Sequence, residues 1–258
     1  MTENYLTFQR LFGIKQIDAG DDLGKILLEA LMNNKIFLEN GDVLVIAQKI
    51  ISKAEGRMVN LTSVTPSKKA IEIASIVQKR PELCELILQE SNEVLRTRPG
   101  TIIVEHKSGF VCANAGIDHS NVCGKWGNPE DWVLLLPVDA NKSAYEIRNY
   151  LKNATGKNIG VLIIDSFGRA WRLGTIGMTI GLSGIPALVD MRGRPDLFDY
   201  KLRVTIVAAS DELAAGASLM MGQADEGTPV IHVRGFPYSL CEDNAKKLVR
   251  EKSNDMFR

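Results

Sequence analysis

Short runs of apolar residues alternate along the chain with stretches in which apolar positions recur every three to four residues, a pattern typical of a mixed α/β fold. Helices are predicted at 21–31, 68–80, 81–90, 143–151 and 210–221, and strands at 43–47, 101–104, 110–113, 132–136, 161–164, 203–209 and 228–233. The turn-like residues 107–109 predict a hairpin. The helix between strands 132–136 and 161–164 predicts a crossover unit, which aligns strand ends on one side of a sheet.

One stretch, residues 161–184, changes abruptly from four apolar residues to Asp165 and Ser166. A carboxylate and a hydroxyl at the carboxyl end of a buried strand lie where open sheets usually hold ligands, so the pair predicts a metal or phosphate site. Arg169, Arg172 and the interspersed glycines would add cationic groups and backbone that a bulky anion can approach closely. Alternatively, Asp165 and Ser166 cap a turn and the glycines are bends, because caps and ligands use the same residue types.

Two further polar segments follow predicted strands. Residues 48–57 carry Lys49, Ser52 and Lys53, which could cradle phosphates or form a solvated basic loop. Residues 222–227 could serve a nucleotide or a cation, or they could simply close a helix at Gly222.

The segment 114–121 follows a strand with small and polar residues, which predicts a tight loop. Asp118 could bind a cation and Asn121 could contact a ligand, whereas His119 is expected to be an exposed loop residue. Asp118, Asp165 and Ser166 are all oxygen ligands of the kind that Mg²⁺ or Mn²⁺ requires. Neither a P-loop nor a dinucleotide-binding glycine fingerprint is present in the sequence.

Composition narrows the possible partners. The 258 residues contain 31 basic and 31 acidic side chains, so there is no electrostatic case for a nucleic-acid or membrane-surface partner. The apolar runs are too short to span a bilayer, and the first residues lack the features of a signal peptide, so a cytoplasmic protein is expected. The four cysteines form no C-x-x-C pair, which favours reduced thiols over disulfides or a zinc site.

Several long motifs together resemble those of the coenzyme F420-0:γ-glutamyl ligase family. They are Gly41-Asp-Val-Leu-Val45, Ser52-Lys-Ala-Glu-Gly-Arg57, Ala115-Gly-Ile-Asp-His-Ser-Asn121, Asp165-Ser-Phe-Gly-Arg-Ala-Trp-Arg172 and Met221-Gly-Gln-Ala-Asp-Glu-Gly-Thr228. The resemblance covers nearly the full chain in order. It implies one ligase domain over residues 1–258, built from two intertwined subdomains and assembled as a homodimer.

The resemblance also implies a reaction and the residues that perform it. The enzyme would use GTP and two divalent cations, Mg²⁺ or Mn²⁺ with K⁺ as a further ion, to attach L-glutamate to coenzyme F420-0. Asp118 and Asp165 would bind one cation, Ser166 and Gln223 the second, and catalysis would involve Asp165, Arg169 and Arg172. The nucleotide would contact Gln48, Lys49, Lys53, Asn121, Met221, Gly222, Gln223, Ala224, Asp225, Glu226, Gly227 and Thr228.

The implied mechanism phosphorylates the acceptor carboxylate with GTP, after which the glutamate amine displaces phosphate from the acyl phosphate and GDP is released. Two departures from the family pattern are present. Lys15 and Gln16 stand where the family often has Pro-Glu, and the chain is too short for the second, flavin-binding domain of some relatives. Two other hypotheses are a related nucleotide-dependent amide ligase that acts on another carboxylate, and a nucleotide-binding regulatory module without turnover.

Overall fold

The computed structural model describes residues 5–124 and 126–256, and it contains helices packed on several sheets. The α-helices are α1 (Leu23–Asn33), α2 (Gln48–Ala54), α3 (Lys68–Val77), α4 (Pro81–Gln89), α5 (Ala140–Thr155) and α6 (Ala209–Met221). The strands are β1 (Thr7–Arg10), β2 (Val43–Ala47), β3 (Met58–Asn60), β4 (Ser91–Arg98), β5 (Thr101–His106), β6 (Val111–Ala113), β7 (Trp132–Leu134), β8 (Gly160–Arg169), β9 (Arg172–Ser183), β10 (Val189–Asp190), β11 (Ile206–Val207) and β12 (Val230–Arg234). The predicted mixed α/β fold is therefore confirmed.

The largest sheet has five strands in the order β1-β12-β2-β8-β9. Strands β2 and β8 are parallel, and their register runs from Val43 opposite Gly160 to Ala47 opposite Ile164. Strand β2 then gives way directly to α2, whereas β8 continues for five more residues paired on its other edge with β9. The edge of β8 that faces β2 is thus left without a strand partner, among the described residues, from Asp165 onward.

Strand β8 is apolar at consecutive positions, so its side chains contribute to apolar cores on both faces of this sheet. Val161, Ile163 and Phe167 face the larger core, which also takes in residues from α1, α3, α4 and α5. Leu162 and Ile164 face a second core formed mainly with α6. Successive side chains of a strand point to opposite faces, so residues 165 and 166 also project on opposite sides.

The described residues also form three smaller sheets. Strands β4, β5 and β6 form an antiparallel sheet, so the predicted hairpin between β5 and β6 is confirmed. Strand β4 was not predicted, because most of its side chains are polar and exposed. Strand β3 pairs with β7, and β10 pairs with β11.

Several predicted elements differ in the structure. The segment after β2 is helix α2, not a loop, and helix α5 begins at Ala140, where the side chain of Asp139 accepts from the Asn141 and Lys142 backbone N–H groups. The crossover prediction is wrong, because β7 pairs with β3 whereas the parallel neighbour of β8 is β2. Of the predicted strand 203–209, only β11 forms, since most of this exposed segment finds no neighbouring strand.

The glycine-rich segment after β8 also differs from the prediction of an open anion-binding backbone, because it forms β9. Gly177 is required for close packing: a Cβ there would lie 2.5 Å from the carbonyl oxygen of Ala214 in α6. Gly181 approaches Ala140 in the same way. Among the described helices, none combines the length and the apolar character needed to cross a bilayer.

Candidate functional site

Two carboxylates from distant parts of the chain meet beside the amino end of α2. The amide nitrogen of Gln48 donates to Asp118 Oδ2 at 2.6 Å, and Lys49 forms an ion pair with the same oxygen. Burial and the negative charge of Asp118 raise the pKa of Asp165 to about 7, although Lys49 and hydrogen bonds from the Ser166 backbone and Gln48 act in the opposite direction. The two carboxylates therefore interact strongly.

The fold explains why these residues meet. Strand β2 stops at Ala47, so α2 begins level with the point where β8 reaches Asp165. Asp118 is held there because its backbone exchanges two hydrogen bonds with Leu134, at 3.0 Å and 2.9 Å. The pair Asp165 and Ser166 thus follows the carboxyl end of the parallel neighbour β2, as expected for a ligand site, but it lies within β8 and not at its end.

Lysines of α2 connect this pair of carboxylates to two loops. Lys49 and Lys53 are one helical turn apart and therefore share a face of α2. Lys53 Nζ donates to the carbonyl oxygen of Asn121 at 2.9 Å, and Asn121 Nδ2 donates to the carbonyl oxygen of Ala224 at 2.9 Å. Burial, with a smaller contribution from Lys49, lowers the pKa of Lys53.

The opposite face of β8 carries a second polar pair. Ser166 Oγ donates to Gln223 Oε1 at 2.8 Å, and Gln223 Nε2 donates to Ser218 Oγ of α6 at 3.1 Å. The two residue pairs predicted to bind cations, Asp118 with Asp165 and Ser166 with Gln223, are therefore each close together. They lie on the two sides of the same strand, where its edge is open.

The loop after α6 is shaped by its own residues. Gly222 has φ +77°, and a side chain at that position would collide with the carboxylate of Glu226, which accepts from the Ala224 backbone N–H at 2.8 Å. Met221 is buried, and the buried Thr228 hydroxyl donates to its carbonyl oxygen at 3.1 Å. The exposed residues of this loop, which remain free to face a ligand, are Gln223, Ala224, Asp225, Glu226 and Gly227.

The two arginines lie farther away than the other candidate residues. Arg169 is four residues beyond Asp165, roughly 13 Å at the usual rise of a strand, and it bonds weakly to the carbonyl oxygens of Leu173 and Gly174 at 3.5 and 3.4 Å. Arg172 is exposed at the start of β9, next to the hairpin turn. Their catalytic role stays a prediction, since both lie at the tip of the β8–β9 hairpin in a single copy of the chain.

The side chains present fit hard divalent cations. Two carboxylates supply charged oxygens on one face of β8, and a hydroxyl and an amide supply neutral oxygens on the other. A cation would relieve the repulsion that raises the pKa of Asp165. Among residues 5–124 and 126–256, His, Cys, Asp and Glu form no group of three or more that could hold a metal.

Two neighbours of the site have contacts that the sequence did not predict: Ser52, which was considered only as a phosphate ligand, and Cys112. Ser52 donates to Gln48 Oε1 at 2.8 Å and so orients the amide that contacts Asp118. Burial, followed by the charge of Asp165, raises the pKa of Cys112 to about 12. Ser52 follows Gln48 by four residues, a spacing that would have linked the two residues if α2 had been predicted as a helix. His119 is exposed, as expected.

Comparison with known proteins agrees with the resemblance seen in the motifs. Residues 13–235 match the family model described as F420-0:Gamma-glutamyl ligase. The coenzyme F420:L-glutamate ligase of Methanothermobacter thermautotrophicus is 42% identical over 248 residues, which cover 95% of this chain and 96% of that protein. The protein of the same name from Methanopyrus kandleri is 42% identical, with 95% and 94% covered, and that from Archaeoglobus fulgidus is 40% identical, with 95% and 94% covered. The chain therefore belongs to the F420-0:gamma-glutamyl ligase family.

Proposed function

We propose that this chain attaches L-glutamate to coenzyme F420-0 in a GTP-dependent reaction that releases GDP and phosphate. The names of the relatives support L-glutamate and coenzyme F420 as the molecules that are joined. The observation that carries the proposal is the convergence of α2, the loop at Asp118 and Asn121, β8 and the loop after α6 on one cluster of carboxylates, amides and lysines. A triphosphate with bound cations needs this combination of charges.

The chemistry begins with a carboxylate, which is a poor acyl donor because its leaving group would be oxide. Transfer of the γ-phosphoryl group of GTP to a carboxylate oxygen of the acceptor gives an acyl phosphate and GDP. The glutamate amine then attacks the acyl carbon, the C–O bond to phosphate breaks, and the amine loses a proton as the amide forms. No protein nucleophile is required, so positioning and charge neutralisation can drive the reaction.

The residues of the site have separate roles in this scheme. Asp118 with Asp165 would hold one divalent cation, and Ser166 with Gln223 a second. When bound, such cations supply positive charge to the transferring phosphoryl group. Lys49 now neutralises Asp118, and a cation would free its ammonium group for a phosphate. Lys53 and Asn121 would position the nucleotide against the exposed loop after α6.

A homodimer is part of the proposal. Two surface segments expose large apolar side chains: Trp171 and Leu173 at the β8–β9 tip, and Leu197 and Phe198 between β10 and β11. These four are 86, 99, 98 and 89% exposed, respectively. Large exposed apolar side chains are typical of interaction sites, and the β8–β9 hairpin extends past the end of β2. Pairing of two copies would cover them and bring Arg169 and Arg172 into an enclosed setting.

The free thiols of Cys84, Cys112, Cys123 and Cys241 support a reducing, cytoplasmic setting for the reaction. The direct test of function is incubation of the protein with GTP, Mn²⁺, L-glutamate and F420-0, with mass spectrometry of the coenzyme. We expect the mass to rise by one glutamyl unit or by several, with GDP formed in step. Addition of a different amino acid, or to a different acceptor, would favour the related ligase, and binding of GTP without any product would favour the regulatory module.

A further inference from the structure

A cavity of about 500 Å³ lies outside the cluster just described, between the β5–β6 hairpin, β9 and the C-terminal segment 245–255. Its apolar lining includes Phe110, Val111 and Met178. The volume lies within the roughly 300–1,000 Å³ of clefts that bury drug-sized ligands, which is more space than a single amino acid needs.

The cavity lies along the edge strand β9, and one side of it is on the same face of the main sheet as Asp165. Met178 is the direct partner of Asp165 across β8 and β9, and directly opposite residues of a pair project on the same side. The ring of Phe110 lies 5.4 Å from the ring of Phe167, which is two residues beyond Asp165 and therefore on its face of the strand. The inner end of the cavity thus adjoins the position of the proposed phosphoryl transfer.

Two residues that line the cavity hold buried polar atoms without a hydrogen-bond partner among the described residues: His106 Nε2 and Thr179 Oγ1. The Nδ1 atom of His106 accepts from the Ser108 backbone N–H at 3.0 Å, so in the neutral ring the proton lies on Nε2. Burial lowers the pKa of His106 to about 4, which keeps the ring neutral. The cavity wall therefore contains two donors whose bonds remain to be made, a situation that is rare in folded proteins.

The rim of the cavity is partly cationic. Lys107, Lys246 and Arg250 line it together with Asp139, Asp211 and Asp255. The carboxylates of Asp139 and Asp211 accept from backbone N–H groups, whereas in the described part of the chain no ion pair involves Lys246 or Arg250. Lys107 lies 3.7 Å from Glu90, whose carboxylate is already paired with Arg57 at 2.5 Å. An apolar floor with aromatic rings, unsatisfied donors and cationic groups on part of the rim together suit an anion that carries an aromatic ring system.

From this arrangement we infer that the cavity is the acceptor pocket, which holds the ring system of the deazaflavin against Phe110 and Met178 and directs the acceptor carboxylate toward Asp165. The inference rests on the proposed function. It assigns the acceptor to this volume because glutamate is too small to fill the cavity and GTP is placed elsewhere, against Lys53, Asn121 and the loop after α6.

The test fills the cavity and leaves the nucleotide site untouched. Val111 is 41% exposed and lines the cavity, so Val111→Trp should occupy the space without disturbing the core. Ile71 on α3 is 51% exposed and does not line the cavity, which makes Ile71→Trp the matched control.

Binding of F420-0 is measured by equilibrium dialysis with Mn²⁺ and a non-hydrolysable GTP analogue, and binding of GTP is measured by calorimetry. We expect Val111→Trp to weaken F420-0 binding at least tenfold, GTP binding to stay within twofold, and Ile71→Trp to match wild type in both.

A conservative variant checks the polar part of the inference. Thr179→Val keeps the shape of the side chain and removes only the unpaired hydroxyl, so the free protein should melt at the same or a higher temperature while F420-0 binds several-fold more weakly. Wild-type affinity for F420-0 in Val111→Trp and Thr179→Val, with normal turnover, would overturn the acceptor pocket and leave the proposed function standing. A wild-type protein that neither binds nor glutamylates F420-0 would overturn both.

Discussion

Replacing Asp165 by Asn should make the cation-free protein more stable while it abolishes most of the activity. Asn keeps the size and hydrogen-bonding capacity of the side chain and removes its charge. In the free protein that charge is unfavourable, because it is partly withdrawn from water and lies close to the carboxylate of Asp118. In the working enzyme the same charge would hold a cation, so stability and turnover should change in opposite directions.

The size of the stability change follows from the pKa of Asp165. Its rise from 3.8 to about 7 means that the native state binds the proton more tightly than the unfolded chain. The free energy of unfolding therefore falls as the pH rises from about 4 to about 7, because Asp165 must lose its proton in the native state. One pKa unit corresponds to about 1.4 kcal/mol, so the total loss above pH 7 is up to about 4 kcal/mol. Between pH 5 and pH 8 the advantage of Asp165→Asn over wild type should grow by about 3 kcal/mol.

The assay is urea unfolding in the presence of a chelator at pH 5 and pH 8, combined with glutamate-dependent GDP release in Mn²⁺. We expect turnover to fall on the order of a hundredfold or more, as for loss of a catalytic metal ligand. Glu29→Gln, on the exposed side of α1, is the control and should leave turnover within twofold and stability nearly unchanged. A stability gap that is equal at both pH values, or near-normal turnover of Asp165→Asn, would refute the reasoning.

Calorimetric titration of GTP should show tight binding only with Mg²⁺ or Mn²⁺ present, because a triphosphate would otherwise meet the carboxylates of Asp118 and Asp165; equal affinity in a chelator would exclude the proposed cation sites. Light scattering at low micromolar concentration should give a dimer mass for wild type and a monomer mass for Phe198→Asp, whereas a monomeric wild type would remove the basis for the proposed pairing. Burial lowers the pKa of His106 to about 4, so the free energy of unfolding should fall by up to about 3 kcal/mol as the pH falls from 6.5 to 4. In chemical unfolding, His106→Phe should flatten this part of the pH profile. An unchanged slope in the variant would contradict the role given to His106.

Much of the fold was predictable because its elements carry strong apolar patterns. Strands β2 and β8 are continuous apolar runs at positions 43–46 and 161–164, and α1 and α4 have clear apolar faces and identifiable starts. Strand β4 could not be predicted in the same way, because it is exposed and is stabilised by backbone pairing with β5. Helix α2 was missed because it follows β2 without any intervening turn.

The candidate site was predictable in its residue types but not in its geometry. The sequence identified three oxygen ligands that follow apolar runs: Asp118, Asp165 and Ser166. It did not show that β8 continues past the end of β2, and this continuation places residues 165 and 166 on opposite faces of the strand. The distance of Arg169 from Asp165 has the same cause, because an extended strand separates residues that a turn would have kept close. The cavity beside Phe110 and Met178 left no motif in the sequence, since its lining comes from segments that are far apart along the chain.

The central claim, that GTP activates the acceptor carboxylate at this site, can be tested most directly by isotope transfer. F420-0 labelled with ¹⁸O in the carboxylate that receives glutamate is converted with GTP, Mn²⁺ and L-glutamate, and the phosphate released is analysed by mass spectrometry. Because the C–O bond of the acyl phosphate breaks when the amine attacks, one labelled oxygen should appear in each phosphate formed. Product formation with phosphate that carries no ¹⁸O would contradict the account.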